Sequence, residues 1–185
     1  MLATIAPRHT APTLTVLCAA LLVAACAPMS ARYSQEQLPN AVKVPDGHQV
    51  AMQTVGVGKI AYECKAKKDM TGHEWVFVGP DAALNDRGGM QVGTYAGPPA
   101  TWASLDGSKV TATQVAVAPA GAGNIPYQLV KANPATGSGA MQGVSYIQRV
   151  ATSGGVAPSS PCGMDTVGVK QWVPYQADYI FWKAA

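Results

Sequence analysis

Charge is scarce in this chain. Only 12% of its 185 residues are Asp, Glu, Lys or Arg, against 48% hydrophobic ones, which excludes an extensively disordered, charge-driven polymer. The balance is nearly even, 13 basic against 10 acidic residues for a net +3, and the one basic grouping is Lys65, Lys67 and Lys68. A nucleic-acid partner would need a basic stripe, so none is expected, and the lysine grouping reads as a solvated face. Room for helices is missing too. Gly and Pro number 19 and 14, and after Pro45 the longest run free of both is 59–71, which excludes a helical bundle. Histidine is rare and no Cys-x-x-Cys occurs, so a tetrahedral metal site lacks its ligands. What remains is enough chain for one domain with a real core.

The N-terminus reads as an address. Arg8 and the amino terminus precede an apolar run, 14–25, that is too short to span a bilayer, which takes roughly 20 apolar residues. The run ends in Val23-Ala24-Ala25-Cys26, which looks like a bacterial lipobox. In this reading residues 1–25 are a signal peptide and Cys26 becomes the first residue of the mature protein. Its thiol and amine then carry acyl chains, each buried CH₂ contributing about 0.8 kcal/mol of membrane affinity. Ordinary secretion, with cleavage near Ala25 and Cys26 unmodified, is the alternative. Ala27 in place of Asp favours the outer membrane by the enteric rule. Residues 26–44, with Pro28 and Pro39, read as a tether, and 45–185 as the domain.

Four cysteines then reduce to two. Cys18 leaves with the signal peptide and Cys26 is spent on lipid, so Cys64 and Cys162 remain in an oxidising compartment with a single way to pair. Zinc is the rival, but only His48 and His73 remain beside them in the mature chain.

Strand signals recur through the domain. Candidates are 48–55 and 59–65 around Gly56-Val57-Gly58, then 74–78 closed by Gly79-Pro80, then 109–118 and 125–132. Two late segments alternate most clearly. Val144, Tyr146, Gln148 and Val150 oppose Ser145, Ile147 and Arg149, and the aromatic face Tyr175, Ala177, Tyr179, Phe181 opposes Gln176, Asp178, Ile180 and Trp182. A short helix or turn is expected over 81–85, after Pro80 and before Gly88-Gly89. The fold expected is all-β, one antiparallel sandwich or barrel with long Gly/Pro-rich loops and at most short helices. Periodicity does not choose between the two.

Several blocks, in order, resemble one family. They are Gly72-His73-Glu74-Trp75-Val76-Phe77-Val78-Gly79-Pro80-Asp81, Tyr95-Ala96-Gly97-Pro98, Trp102 and Asp106-Gly107-Ser108-Lys109-Val110. The most specific block is Tyr146-Ile147-Gln148-Arg149-Val150-Ala151-Thr152-Ser153-Gly154-Gly155, followed by Cys162 and Val173-Pro174-Tyr175-Gln176-Ala177-Asp178-Tyr179. Together they are similar to the secreted bacterial and fungal "domain of unknown function 3455" family. The resemblance implies an extracytoplasmic place and supplies no catalytic residue, cofactor or substrate. One departure is Thr94, where the family often has a histidine.

No convergent catalytic set emerges. His73 and Glu74 adjoin on a strand and so face opposite ways. Ser108 lacks a nucleophile elbow, and Asp106-Gly107 between strand-like segments reads as a hairpin turn. Arg149, among apolar neighbours, needs an anionic partner or a stacking aromatic, and Asp178 is the candidate if the two late strands pair. Trp102, with Tyr95 in the Gly/Pro-rich region, is the candidate exposed platform for sugar faces or an apolar ligand. Tyr95, Trp102, Asp106 and Arg149 thus form the expected binding surface. The leading expectation is a lipid-anchored envelope protein, non-enzymatic, that binds a ligand or plays a structural role, without cofactor or metal. Its ligand would be a glycan, a small molecule or an envelope protein. The alternative is an envelope hydrolase using a carboxylate pair from Glu74, Asp81, Asp86, Asp106 and Asp178, which would have to flank one cleft.

Overall fold

The computed structural model describes Met1 and residues 33–185, so the expected signal peptide, Cys26 and 27–32 lie outside the described residues. Eight strands follow one another: β1 (His48–Ala66), β2 (His73–Asn85), β3 (Gln91–Ala96), β4 (Thr101–Ser104), β5 (Lys109–Ala118), β6 (Tyr127–Ala132), β7 (Val144–Gly154) and β8 (Lys170–Ala184). The helices among the described residues are two short 3-10 turns, Asn40–Val42 and Met164–Thr166. Each strand pairs antiparallel with the next and β8 returns to β1, so one all-β sheet closes into a barrel. Closure rests on the long β1. It pairs with β8 from His48 to Glu63 and with β2 from Val55 to Ala66, the stagger that a tilted, closed sheet requires.

Two expected breaks turn out to be strand. Gly56 and Gly58 do not interrupt β1. A Cβ on Gly58 would stand 2.1 Å from the Asp81 carbonyl oxygen, so glycine is there because the neighbouring backbone comes so close. The short helix or turn expected over 81–85 is also corrected, since β2 runs through Gly79 and Pro80 to Asn85. Pro80 sits beside a bulge in the β1–β2 pairing and one residue past the last β2–β3 pair, Asp81 with Ala96. A strand tolerates a missing N–H at such a place, so the start signal for a helix was a strand proline.

The interior is apolar and aromatic. Leu84, Trp102, Met141, Ile147, Tyr179 and Phe181 are among its fully buried side chains. This is the reverse of a membrane-spanning barrel, whose apolar band faces outward. The alternation read in β8 holds, with Tyr175, Ala177, Tyr179 and Phe181 inside. On β7, Ile147 lies inside and Tyr146, Gln148 and Val150 lie outside, while a register shift between Val144 and Tyr146 turns Val144 inward.

A second apolar layer lies on the outside of the barrel. Residues 33–44, read from the sequence as part of a tether, pack over it. Val42 and Val44 are buried against Ala118, Leu129, Val150, Ile180 and Trp182. Gln148 organises this strap from a fully buried position. Its amide donates to the Val42 carbonyl oxygen at 2.7 Å and to Gln35 Oε1 at 3.0 Å. Its Oε1 accepts from Trp182 Nε1 at 2.9 Å and from the Tyr33 hydroxyl at 3.2 Å. Gln35 in turn brackets the Val44 backbone, accepting from its N–H and donating to its carbonyl. The outer apolar face of β6–β8 needs a cover, and residues 33–44 supply it.

Candidate functional site

Successive hairpins alternate between the two ends of the barrel. Loops 67–72, 97–100, 119–126 and 155–169 fall at one end, and 86–90, 105–108 and 133–143 at the other. At the first end a cavity of about 200 Å³ opens into the interior. One wall is apolar: Phe77 of β2, Tyr95 of β3, Pro98 and Ala100 of the following turn, and Trp102 of β4. The facing wall carries Gln114, Gln128 and Arg149 from β5, β6 and β7. Gln128 and Arg149 are cross-strand partners, and Gln128 donates to Gln114 Oε1.

The aromatic wall is built in depth. Tyr95 stacks on Trp102 with ring centroids 4.5 Å apart, and Tyr179 packs against both at 5.0 and 5.9 Å. Tyr179 and Tyr175 share a hydroxyl–hydroxyl hydrogen bond of 3.2 Å. Burial pushes the Tyr95 and Tyr179 phenols above their ordinary value and Tyr175 up to about 12. The Arg149 charge pulls each of them the other way, since it shares this interior. Trp102 is 1% exposed, and its Nε1–H is buried without a hydrogen-bond acceptor among the described residues. Such an orphan costs roughly 1–3 kcal/mol. The other buried side-chain polar atom without a partner, Thr54 Oγ1, belongs to β1 and is not part of the cavity wall.

Arg149 directs its Nε–H and one Nη2–H at the Pro126 carbonyl oxygen, 3.2 and 2.9 Å away. This holds the end of loop 119–126 to β7. Loop 155–169 is fixed at the same end. The Cys64–Cys162 disulfide, with Cα atoms 5.5 Å apart, ties it to β1, and Trp75 Nε1 donates to the Ser160 carbonyl oxygen at 2.8 Å.

The family described as "Protein of unknown function (DUF3455)" matches over residues 45–183. The chain belongs to that family. No curated protein and no solved structure matches it. The matched region starts directly after the strap and contains every cavity residue. Thr94 is exposed on the outer face of β3 and does not touch the cavity.

Of the four expected binding residues, the structure brings Tyr95, Trp102 and Arg149 together and leaves Asp106 at the other end of the barrel. Trp102 is no exposed platform, because the Tyr95–Tyr179 cluster encloses its ring. The Arg149–Asp178 pair does not form. β7 and β8 do pair, but Arg149 is level with inward-facing Tyr179, whereas Asp178 points outward to Arg87 at 2.8 Å. Adjacent residues on a strand face opposite sides, and pairing of the strands was not enough.

Asp106 closes the β4–β5 turn. Its Oδ1 accepts from the Ser108 N–H and hydroxyl at 2.9 and 2.6 Å, and its Oδ2 from the Ala140 N–H at 2.7 Å. The Ser108 hydroxyl, followed by those backbone donors, holds the carboxyl well below the ordinary carboxylate range. Ser108 is itself fully buried and accepts from the Met141 N–H, a structural role that leaves no exposed nucleophile. The remaining carboxylates are dispersed. Glu74 and Asp81 are exposed on β2, and Asp86 binds the Gly88 and Met90 N–H groups in the β2–β3 turn. None of the five lines the cavity, so they do not flank one cleft there. Among the described residues no group of three His, Cys, Asp or Glu is placed to hold a metal.

Gln114, Gln128 and Phe77 belong to the cavity without having been singled out from the sequence. The signal for the glutamines was strand alternation: Gln128 is two residues from buried Val130, and Gln114 two from Ala112, which packs against the interior.

Proposed function

We propose that this family member is a lipid-anchored cell-envelope protein whose barrel binds a small ligand at its mouth and catalyses no reaction. The observation that carries the reading is the cavity at one end of the barrel, whose apolar wall faces Gln114, Gln128 and the cation Arg149, unpaired among the described residues. A mixed lining, mostly apolar with a few polar groups, is what small-molecule sites look like. The volume is below the roughly 300–1,000 Å³ of drug-sized sites, which points to a small occupant.

The envelope part rests on the lipobox-like Val23-Ala24-Ala25-Cys26 and on a disulfide that suits an oxidising compartment. Ala27 directs the reading to the outer membrane. With the lipid on Cys26, the distance to Tyr33 is 33 − 26 = 7 residues of chain, at most roughly 25 Å. The barrel would then ride close to the bilayer surface.

Thermal unfolding of the intact protein in detergent, against glycans, metals, lipids and small anions, tests the binding role. A ligand at 100 times its Kd is expected to stabilise by about 2.7 kcal/mol, a rise of about 5–10 °C. Ala112→Phe, which fills the cavity, is expected to abolish that rise. A flat response across the panel would replace this reading with a structural or protein-partner role. Cys26→Ser is expected to move the protein out of the membrane fraction, and a variant that stays there would refute the lipid anchor.

A further inference from the structure

The cavity lining contains one full charge. Arg149 spends two of its five N–H groups on Pro126, leaving the two of Nη1 and one of Nη2. A partly buried guanidinium cation without a counter-ion is costly. Among the described residues the ion pairs are Lys65 with Glu63 and Arg87 with Asp178, so no carboxylate of the chain neutralises Arg149. The lining holds no Asp or Glu, and Asp178 on the neighbouring strand faces away.

We infer that the cavity takes a small organic monocarboxylate, its carboxylate on the free edge of the Arg149 guanidinium and its apolar body against Phe77, Pro98 and Ala100. The assignment rests on the binding role proposed above and names the class of occupant. Three features select it. The free Nη1 and Nη2 hydrogens form the planar fork that matches a carboxylate. A single cation balances a single negative charge, so a dianionic phosphate would bring a second charge with nothing to meet it. The facing wall is apolar, which excludes a bare inorganic anion as the best fit and suits a ring or a short branched chain in about 200 Å³.

Benzoate, benzamide and inorganic phosphate are the probes, titrated into the intact protein by calorimetry. Benzoate is expected to bind about tenfold or more tightly than benzamide, the effect of one charge-assisted hydrogen bond, and more tightly than phosphate. Arg149→Met is expected to erase the preference for benzoate while benzamide binding persists. Where Arg149→Met does not fold, Arg149→Lys keeps the cation without the fork and is expected to weaken benzoate alone. Equal affinity for benzoate and benzamide would overturn the carboxylate assignment while leaving a binding cavity in place. Benzoate binding unchanged in the Arg149 variant, or phosphate binding as well as benzoate, would also overturn it. Binding of neither aromatic probe overturns the assignment, and the wider ligand panel with Ala112→Phe then decides separately whether the cavity binds anything.

Discussion

At the scale of single residues, similar side chains do different work according to the face they occupy. Asp106 and Asp178 both looked available for chemistry, and both are consumed structurally, one by backbone N–H groups in a turn and one by Arg87 on the outer surface. The Asp106 carboxyl is held below its ordinary range by hydrogen bonds present only when folded. The unfolded chain therefore binds a proton there before the native state does. Its contribution is complete at neutral pH and is lost as pH falls below about 4. Asp106→Asn is expected to flatten the acid limb of the stability curve, measured by urea unfolding from pH 6 downward. An acid limb identical to that of the parent would show that the turn's hydrogen bonds do not discriminate the ionised form. Glycine shows the same dependence on place: Gly107 has φ of +91° in the turn that Asp106 closes, while Gly58 sits in extended β1 because no Cβ fits there.

At the scale of elements, the strap shows how a segment with little structure of its own becomes part of a fold. Residues 33–44 hold only one 3-10 turn, yet they cover the outer apolar face and are fastened through Gln148. Gln148→Leu would leave the Val42 carbonyl and the Trp182 indole N–H without their partner. The expected loss is about 1–3 kcal/mol, read by chemical denaturation, with early proteolytic cleavage of the strap while the barrel stays intact. A strap that remains protected in this variant would assign its attachment to apolar burial alone. The strand pattern of β7 already separated Gln148 from Arg149 by face. It did not say which face was inside, because both faces of β7 are buried: one by the barrel interior and one by the strap. A strand covered on both sides loses the polar-out signal that orients it.

At the scale of the whole molecule, a barrel closed by the pairing of its first and last strands depends on contacts far apart in sequence. The disulfide adds one more, joining residues 98 apart. In the chain-entropy account such a link stabilises by about 4–5 kcal/mol through the unfolded state. The double variant Cys64→Ala/Cys162→Ala is expected to lose about that much in urea unfolding. A loss below about 1 kcal/mol would mean that barrel closure alone confines loop 155–169. That loop shares the cavity's end of the barrel, so the variant also reports whether the mouth needs the link to keep its shape.

By itself the sequence determined the all-β class, the aromatic face of β8 and the pairing of Cys64 with Cys162. Each of these follows from local information: side-chain alternation of period two, frequent Gly and Pro, and the two cysteines left to pair. It also brought Tyr95, Trp102 and Arg149 forward as chemically conspicuous. Only the tertiary structure decided that the sheet closes, since β1–β8 pairing has no local signature. The same holds for where the bulges fall, and a single added residue reverses which side chains face inward along the rest of a strand. Closure sets the interior, and the unbroken alternation over 146–150 and 175–181 then places Arg149 inside the barrel without a carboxylate and Asp178 outside it, which is why the cavity has an unmatched positive charge.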